Sequence, residues 1–128
     1  MTALLDTQVV LWWNTDSTRL GQNALEILRD STARLLFSHA SIWEMAIKVK
    51  IGKLRLEPDL ETFIDRFIVG NGMELLPIGL QAILGTKNLE PIHQDPFDRL
   101  IISQAISDGL PVIGADAVWD GYPVRRIW

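Results

Sequence analysis

Residues 95–116, DPFDRLIISQAISDGLPVIGAD, contain a whole helix followed by a whole strand. Asp95 is a short acceptor suited to an N-cap, and Pro96 fits the first helical position, where no N–H is needed. The pattern predicts a helix from Pro96 to Ser107 or Asp108, stopped by Gly109. Residues 111–115 follow as an apolar run without polar alternation, as in a strand covered on both faces. Asp116 closes it. Such a helix-then-strand unit belongs to a parallel sheet, because parallel strands need long crossovers, usually helical.

Working outward, the same alternation repeats. Residues 2–5 read as a strand ended by Asp6, and residues 7–14 as a helix, since Val9, Trp12 and Trp13 fall at three- and four-residue spacing. A helix over 20–30 carries Ala24, Ile27 and Leu28 on one face, and a short strand spans Arg34 to Phe37. Ser38 caps a helix over 39–50 that Gly52 ends. Its apolar positions Ile42, Trp43, Met45, Ala46, Ile47 and Val49 nearly encircle it, which predicts extensive burial with Trp43 in the core. Ser41, Glu44 and Lys48 share one polar stripe. Pro58-Asp59 opens a helix with Leu60, Phe63, Ile64 and Phe67 inward; a strand from Glu74 to Pro77, a short helix over 80–85 and a last strand over 124–127 complete the pattern. The expectation is an α/β fold with five strands in a mostly parallel sheet covered on both faces. No repeat or flexible linker divides residues 1–128, so one domain is expected.

Composition narrows the function. With 48% apolar residues the chain should be globular, and without cysteine it has neither disulfides nor thiolate metal sites. No apolar stretch is long enough for a membrane span, and Asp6 interrupts the N-terminal apolar run, so a soluble cytoplasmic protein is expected. A net charge of −4 argues against holding nucleic acid by bulk charge. That argument weakens if four of the 16 acids bind cations, which leaves twelve against 12 Lys and Arg.

Four acids stand where an α/β sheet gathers its ligands: Asp6, Glu44, Asp98 and Asp116. Asp6 and Asp116 end different strands, and Asp98 opens the helix leading to the second of them. Such ends meet in the crevice at the carboxyl edge of a parallel sheet. Carboxylates crowded there repel, and a hard cation relieves them. That points to Mg²⁺ or Mn²⁺ and to phosphate chemistry, in which metal-bound water replaces a nucleophilic side chain. Simpler readings stand beside this one: Asp6 and Asp116 as turn residues, Asp95 as a cap, Asp98 as a helix-dipole partner, and Glu44 as an i,i+4 ion pair with Lys48.

Other chemistries lack their residues. There is no Gly-x-Ser-x-Gly, and His39 and His93 have no zinc-ligand spacing. Asp6-Thr7-Gln8 is not the Asp-x-Asp of a dehalogenase-type phosphatase, no glycine-rich turn follows the first strand, and the paired acids of a receiver domain are missing.

The stretches Leu4-Leu5-Asp6-Thr7, Ser38-His39-Ala40-Ser41-Ile42-Trp43-Glu44 with Lys48 and Gly52-Lys53-Leu54, His93-Gln94-Asp95-Pro96-Phe97-Asp98-Arg99, and Ala115-Asp116 with Tyr122-Pro123-Val124 resemble PIN-domain nucleases. Among these, the VapC-type toxins of prokaryotic toxin–antitoxin pairs are the nearest kind. The resemblance implies a three-layer α/β/α fold and a Mg²⁺- or Mn²⁺-dependent endoribonuclease. In it Asp6, Asp98 and Asp116 ligate metal, Glu44 ligates metal or positions water, and Thr7 adds a supporting hydroxyl. It further implies an RNA substrate, a cognate antitoxin and a homodimer. Gly114 departs from the family pattern, which often has Thr two residues before the last acid. Two alternatives use the same scaffold: a non-catalytic module binding RNA or protein, and a metal-dependent phosphatase on small substrates.

Three further sequence expectations concern surface and support. Trp12, Trp13, Trp43, Trp119 and Trp128 offer candidate contact surface, and adjacent Trp12 and Trp13 cannot both face one core. Lys48, Lys50, Lys53 and Arg55 form either an RNA track or a solvated helix end. Arg99, in a first helical turn, should pair with an acid or a phosphate, and His93 reads as a structural hydrogen-bonding residue.

Overall fold

The computed structural model describes residues 1–128. Its strands are β1 (Thr2–Leu5), β2 (Arg34–Ser38), β3 (Glu74–Leu76), β4 (Val112–Ile113) and β5 (Arg126–Ile127), in the order β3-β2-β1-β4-β5. Every pairing is parallel; Leu5 lies opposite Phe37 on one side and Ile113 on the other. The helices are α1 (Thr7–Thr15), α2 (Gln22–Arg29), α3 (His39–Lys50), α4 (Leu60–Phe63), α5 (Leu80–Gly85) and α6 (Pro96–Asp108). The expected five-stranded α/β architecture is therefore present. β4 and β5 are shorter than their apolar runs because the ladder reaches only the residues aligned with Leu4 and Leu5.

Strand side chains alternate between two cores. Ala3, Leu5, Leu35, Phe37 and Ile113 join Val9 and Val10 of α1 and Ala24 and Leu28 of α2. Leu4, Leu36 and Val112 join Ile101, Ile102 and Ala105 of α6, with Trp119 and Tyr122. Apolar packing on both faces explains why these strands read as unbroken apolar runs. The chain builds outward from β1 to β3, then returns to add β4 on β1's other side. The reversal opens a crevice at the carboxyl ends of β1 and β4.

Helix α3 departs from expectation. It gives Ala40 to one core and Met45 to the other, and buries Ser41 and Glu44 as well. Trp43 is 59% exposed, and Ile47 and Val49 are each 38% exposed. The helix leaves β2 directly over the crevice, so its polar stripe turns inward and part of its apolar surface faces out. Trp43 is thus not a core residue; its ring lies edge-on to Phe97 with centroids 5.1 Å apart. We expect Trp43→Ala to lower stability by about 1 kcal/mol, the scale of one exposed aromatic pair. A loss of about 3–5 kcal/mol in chemical denaturation, the cost of emptying a core site, would contradict this placement.

Two smaller corrections concern side-chain direction. Leu60, Phe63 and Ile64 face the core as expected, but after α4 the backbone widens into a π turn over Ile64–Ile68, so Ile68 is the next buried position and Phe67 turns outward. Trp12 and Trp13 both pack, half-buried, against the first core. Trp128 lies 6.0 Å from Trp12 and the Arg19 guanidinium covers the Trp12 ring at 4.4 Å, so Trp12 is not a free contact surface. Trp119 is buried, which leaves Trp43 as the exposed tryptophan. No helix is long and apolar enough to cross a membrane.

Candidate active site

Asp6 leaves β1 as the N-cap of α1. Its Oδ1 accepts the Thr7 N–H at 2.8 Å, and its own N–H donates to the Ile113 carbonyl at 2.9 Å, fixing it beside the end of β4. A Cβ on Gly114 would stand 3.4 Å from the Asp6 Cβ, in ordinary contact, so glycine keeps that flank of Asp6 open. Asp116 follows β4, and its Oδ1 accepts the Val118 N–H at 3.0 Å. Asp98 sits in the first turn of α6. There Asp95 is the cap, its Oδ1 accepting from the Phe97 and Asp98 N–H groups at 2.8 and 3.3 Å.

Asp6, Thr7, Glu44, Lys48, Asp95 and Asp98 line one cavity of about 190 Å³. Asp116 joins it through His93, whose Nε2 lies 2.7 Å from Asp98 Oδ2 and 3.2 Å from Asp116 Oδ2. The fold thus brings three of the four acids singled out in the sequence into one pocket and sets Asp116 beside it, next to Asp98 across His93. Burial, reinforced by the Asp98 charge and more weakly by Glu44 and Asp116, pushes the Asp6 carboxyl from its ordinary 3.8 up to about 7 against the Thr7 hydrogen bond. Burial also raises Asp98 to about 6, helped by Asp95 and opposed by His93.

Glu44 is both an ion-pair partner and a pocket acid. Its Oε2 lies 3.2 Å from Lys48 Nζ, yet its side chain is only 8% exposed and its Oε1 is buried without any hydrogen-bond partner. A buried, unpartnered carboxylate oxygen costs about 1–3 kcal/mol or more. A cation in the pocket would satisfy it. An all-oxygen acidic donor set, with two carboxyls that burial and neighbouring acids push above their ordinary range, fits a hard divalent ion such as Mg²⁺ or Mn²⁺.

The supporting residues were read less well from sequence. The Thr7 hydroxyl donates to Ser41 Oγ at 2.8 Å rather than to an acid, joining α1 to α3 beside the pocket. Of the basic run, Lys48 lines the pocket, Arg55 pairs with Glu57 at 2.8 Å, and Lys50 and Lys53 are exposed. Arg99 pairs with no acid. Its two terminal nitrogens donate to the carbonyls of Thr86, Leu89, Glu90 and His93 and to the Tyr122 hydroxyl, at 3.0 to 3.4 Å. The Tyr122 hydroxyl accepts the His93 N–H at 2.7 Å and donates to the Glu90 carbonyl at 2.8 Å. Arg99 and Tyr122 therefore pin segment 86–93, which delivers His93. We expect Arg99→Ala to cost about 2–4 kcal/mol in denaturant unfolding, since several carbonyls lose a charged donor. Arg99→Lys should recover less than half of that, because one ammonium cannot reproduce the planar fork.

Fold and pocket define a class: a small α/β domain with a carboxylate pocket at the switch point of a parallel sheet. The PIN domain family model matches residues 3–123, and the chain belongs to the PIN-domain family. No curated protein matches its sequence. Among solved structures it is similar to VapBC2 from Rickettsia felis bound to a DNA fragment from their promoter, at 14% identity and TM-score 0.72, covering 100% of each chain. It is similar to DNA-bound VapBC from Salmonella typhimurium, at 19% identity and TM-score 0.74, covering 98% of this chain and 96% of that one. VapBC-1 from nontypeable Haemophilus influenzae matches at 18% identity and TM-score 0.66 with the same coverage, 98% and 96%. At such identities the likeness is one of fold.

Proposed function

We propose that this chain is a Mg²⁺- or Mn²⁺-dependent endoribonuclease that hydrolyses RNA phosphodiester bonds, acting in the cytoplasm as the toxin of a type II toxin–antitoxin pair. The observation that carries this reading is the unpartnered Glu44 Oε1, buried in the pocket that also holds Asp6 and Asp98. Asp6, Asp98 and Asp116 hold the ion, and Glu44 completes the site. When bound, the ion supplies an activated water and neutralises charge on the scissile phosphate.

The chain's own residues supply placement and charge. Asp6 and Asp98, raised by burial and by neighbouring acids, would present their charge to the ion, and Lys48 keeps Glu44 oriented. Thr7 is the one hydroxyl lining the pocket, and it donates to Ser41 Oγ, so the nucleophile is assigned to water. Three of the solved structures of like fold contain VapBC, and this chain covers the matched chain in each almost end to end. The outward side of α3, with Trp43, Ile47 and Val49, is apolar surface of the kind that protein contacts use, in keeping with a homodimer or a bound antitoxin.

The test is a side-by-side assay. With Mg²⁺ or Mn²⁺ the purified chain should cut oligoribonucleotides, stop on EDTA addition, and leave nucleoside monophosphates intact. Phosphate release from the nucleotides alone would identify a small-substrate phosphatase. Calorimetry without divalent-ion binding would identify a non-catalytic module.

A further inference from the structure

We infer that His93 is the positioning residue of this pocket, a clamp whose Nε2 donates to Asp116 and stands in close contact with Asp98, and that it is not itself a metal ligand. The inference rests on the reading above, that these acids hold a divalent ion. His93, Asp98 and Asp116 have candidate ligand atoms within 4.8 Å of one another, a spacing that by itself suits a three-ligand metal site. The other ring nitrogen decides against it. His93 Nδ1 accepts the backbone N–H of Asp95 at 3.1 Å. An imidazole whose Nδ1 is an acceptor carries its proton on Nε2, so no lone pair remains there for a metal. That N–H is directed at Asp116 Oδ2, 3.2 Å away, while Asp98 Oδ2 stands against the same nitrogen at 2.7 Å.

The ring has little freedom to choose otherwise. Its backbone N–H is held by the Tyr122 hydroxyl and its carbonyl by Arg99 at 3.1 Å, while Asp95, the cap of α6, holds Nδ1. Asp98 comes from α6 and Asp116 from the loop after β4, so His93 ties together two carboxylates that would otherwise drift apart by repulsion. The acids are thus assembled before an ion arrives. Removing a group that orients metal ligands weakens binding by about 10- to 100-fold.

The test uses the full chain and Mn²⁺ calorimetry at neutral pH. His93→Phe keeps a ring without a donor, whereas Gln carries an amide N–H the same number of bonds from the backbone as Nε2. We expect His93→Phe to weaken Mn²⁺ binding about 10- to 100-fold and His93→Gln to remain within about threefold of the unmodified protein. In nitrogen-15 spectra of the unmodified protein, Nε2 should stay protonated at saturating Mg²⁺, which a purely structural histidine elsewhere or a ligand would not reproduce together with the Gln rescue. Loss of the Nε2 proton on Mg²⁺ addition, or a folded His93→Phe variant with unchanged affinity, overturns the inference while leaving the nuclease reading intact. Absence of Mn²⁺ binding by the unmodified protein overturns both. Should the Phe variant fail to fold, the Nε2 spectrum of the unmodified protein still decides.

Discussion

Asp6→Asn should reduce RNA cleavage by roughly 10³-fold or more, the loss of several kcal/mol of metal-borne charge stabilisation, without unfolding the protein. Asparagine is an equally good N-cap, and its carbonyl can take the Thr7 N–H that Asp6 Oδ1 accepts at 2.8 Å. The substitution removes only the charge. Because that charge is disfavoured in the metal-free pocket by burial and by Asp98, Glu44 and Asp116, the metal-free variant should be more stable than the unmodified protein at neutral pH. The same substitution thus lowers activity and raises metal-free stability, a combination that general damage to the fold cannot produce. Undiminished metal-dependent cleavage by this variant would falsify the assignment of Asp6 to the ion.

The metal-free protein should lose stability as pH rises through the range where most proteins gain it. An unfolded chain releases the Asp6 proton near 3.8, whereas the folded chain keeps it until about 7. Between those values the native state binds the extra proton, so stability falls with rising pH, by an amount on the order of 4 kcal/mol for Asp6 at about 1.36 kcal/mol per unit. Asp98, raised to about 6, acts in the same direction over a narrower range. Groups pulled down by their partners, Asp30, Asp59, Glu74 and Asp120, add stability that is lost only on acidification below their ordinary carboxylate values, outside this window. Saturating Mg²⁺ should cancel the neutral-pH loss, because the ion takes the place of the protons. Thermal unfolding at about pH 5 and about pH 7.5, with and without Mg²⁺, checks this. A metal-free protein that stabilises steadily across that interval, with the same slope in Asp6→Asn, would show that the pocket does not set the profile.

Much of this molecule was legible in local sequence. The caps Asp6, Ser38 and Asp95 accept from N–H groups one or two residues ahead, and Gly52 and Gly109 end helices at φ 78° and 63°. Those signals act over a few residues, as does the alternation that fed two apolar cores. The acids were legible for a related reason: strand ends and helix starts converge once the strand order is parallel, so their meeting follows from topology. Arg99 was misread because its partners, four carbonyls and a hydroxyl, belong to a segment whose path no local pattern specifies. Trp43 was misread because helical periodicity shows which residues share a face but not which face meets the crevice. Phe67 failed because a π turn adds a residue to the repeat.

By itself, then, the amino-acid order determined the number and kind of elements, the parallel sheet and three of the acids that line the pocket, Asp6, Glu44 and Asp98, since capping, hydrophobic period and strand termini are short-range properties. Only the tertiary structure decided that α3 turns Glu44 inward and Trp43 outward, that Glu44 keeps an unpartnered oxygen, and that His93 donates to Asp116 while standing against Asp98. Those outcomes depend on how distant segments pack around one crevice, where burial and repulsion among charges far apart in sequence settle each side chain's place.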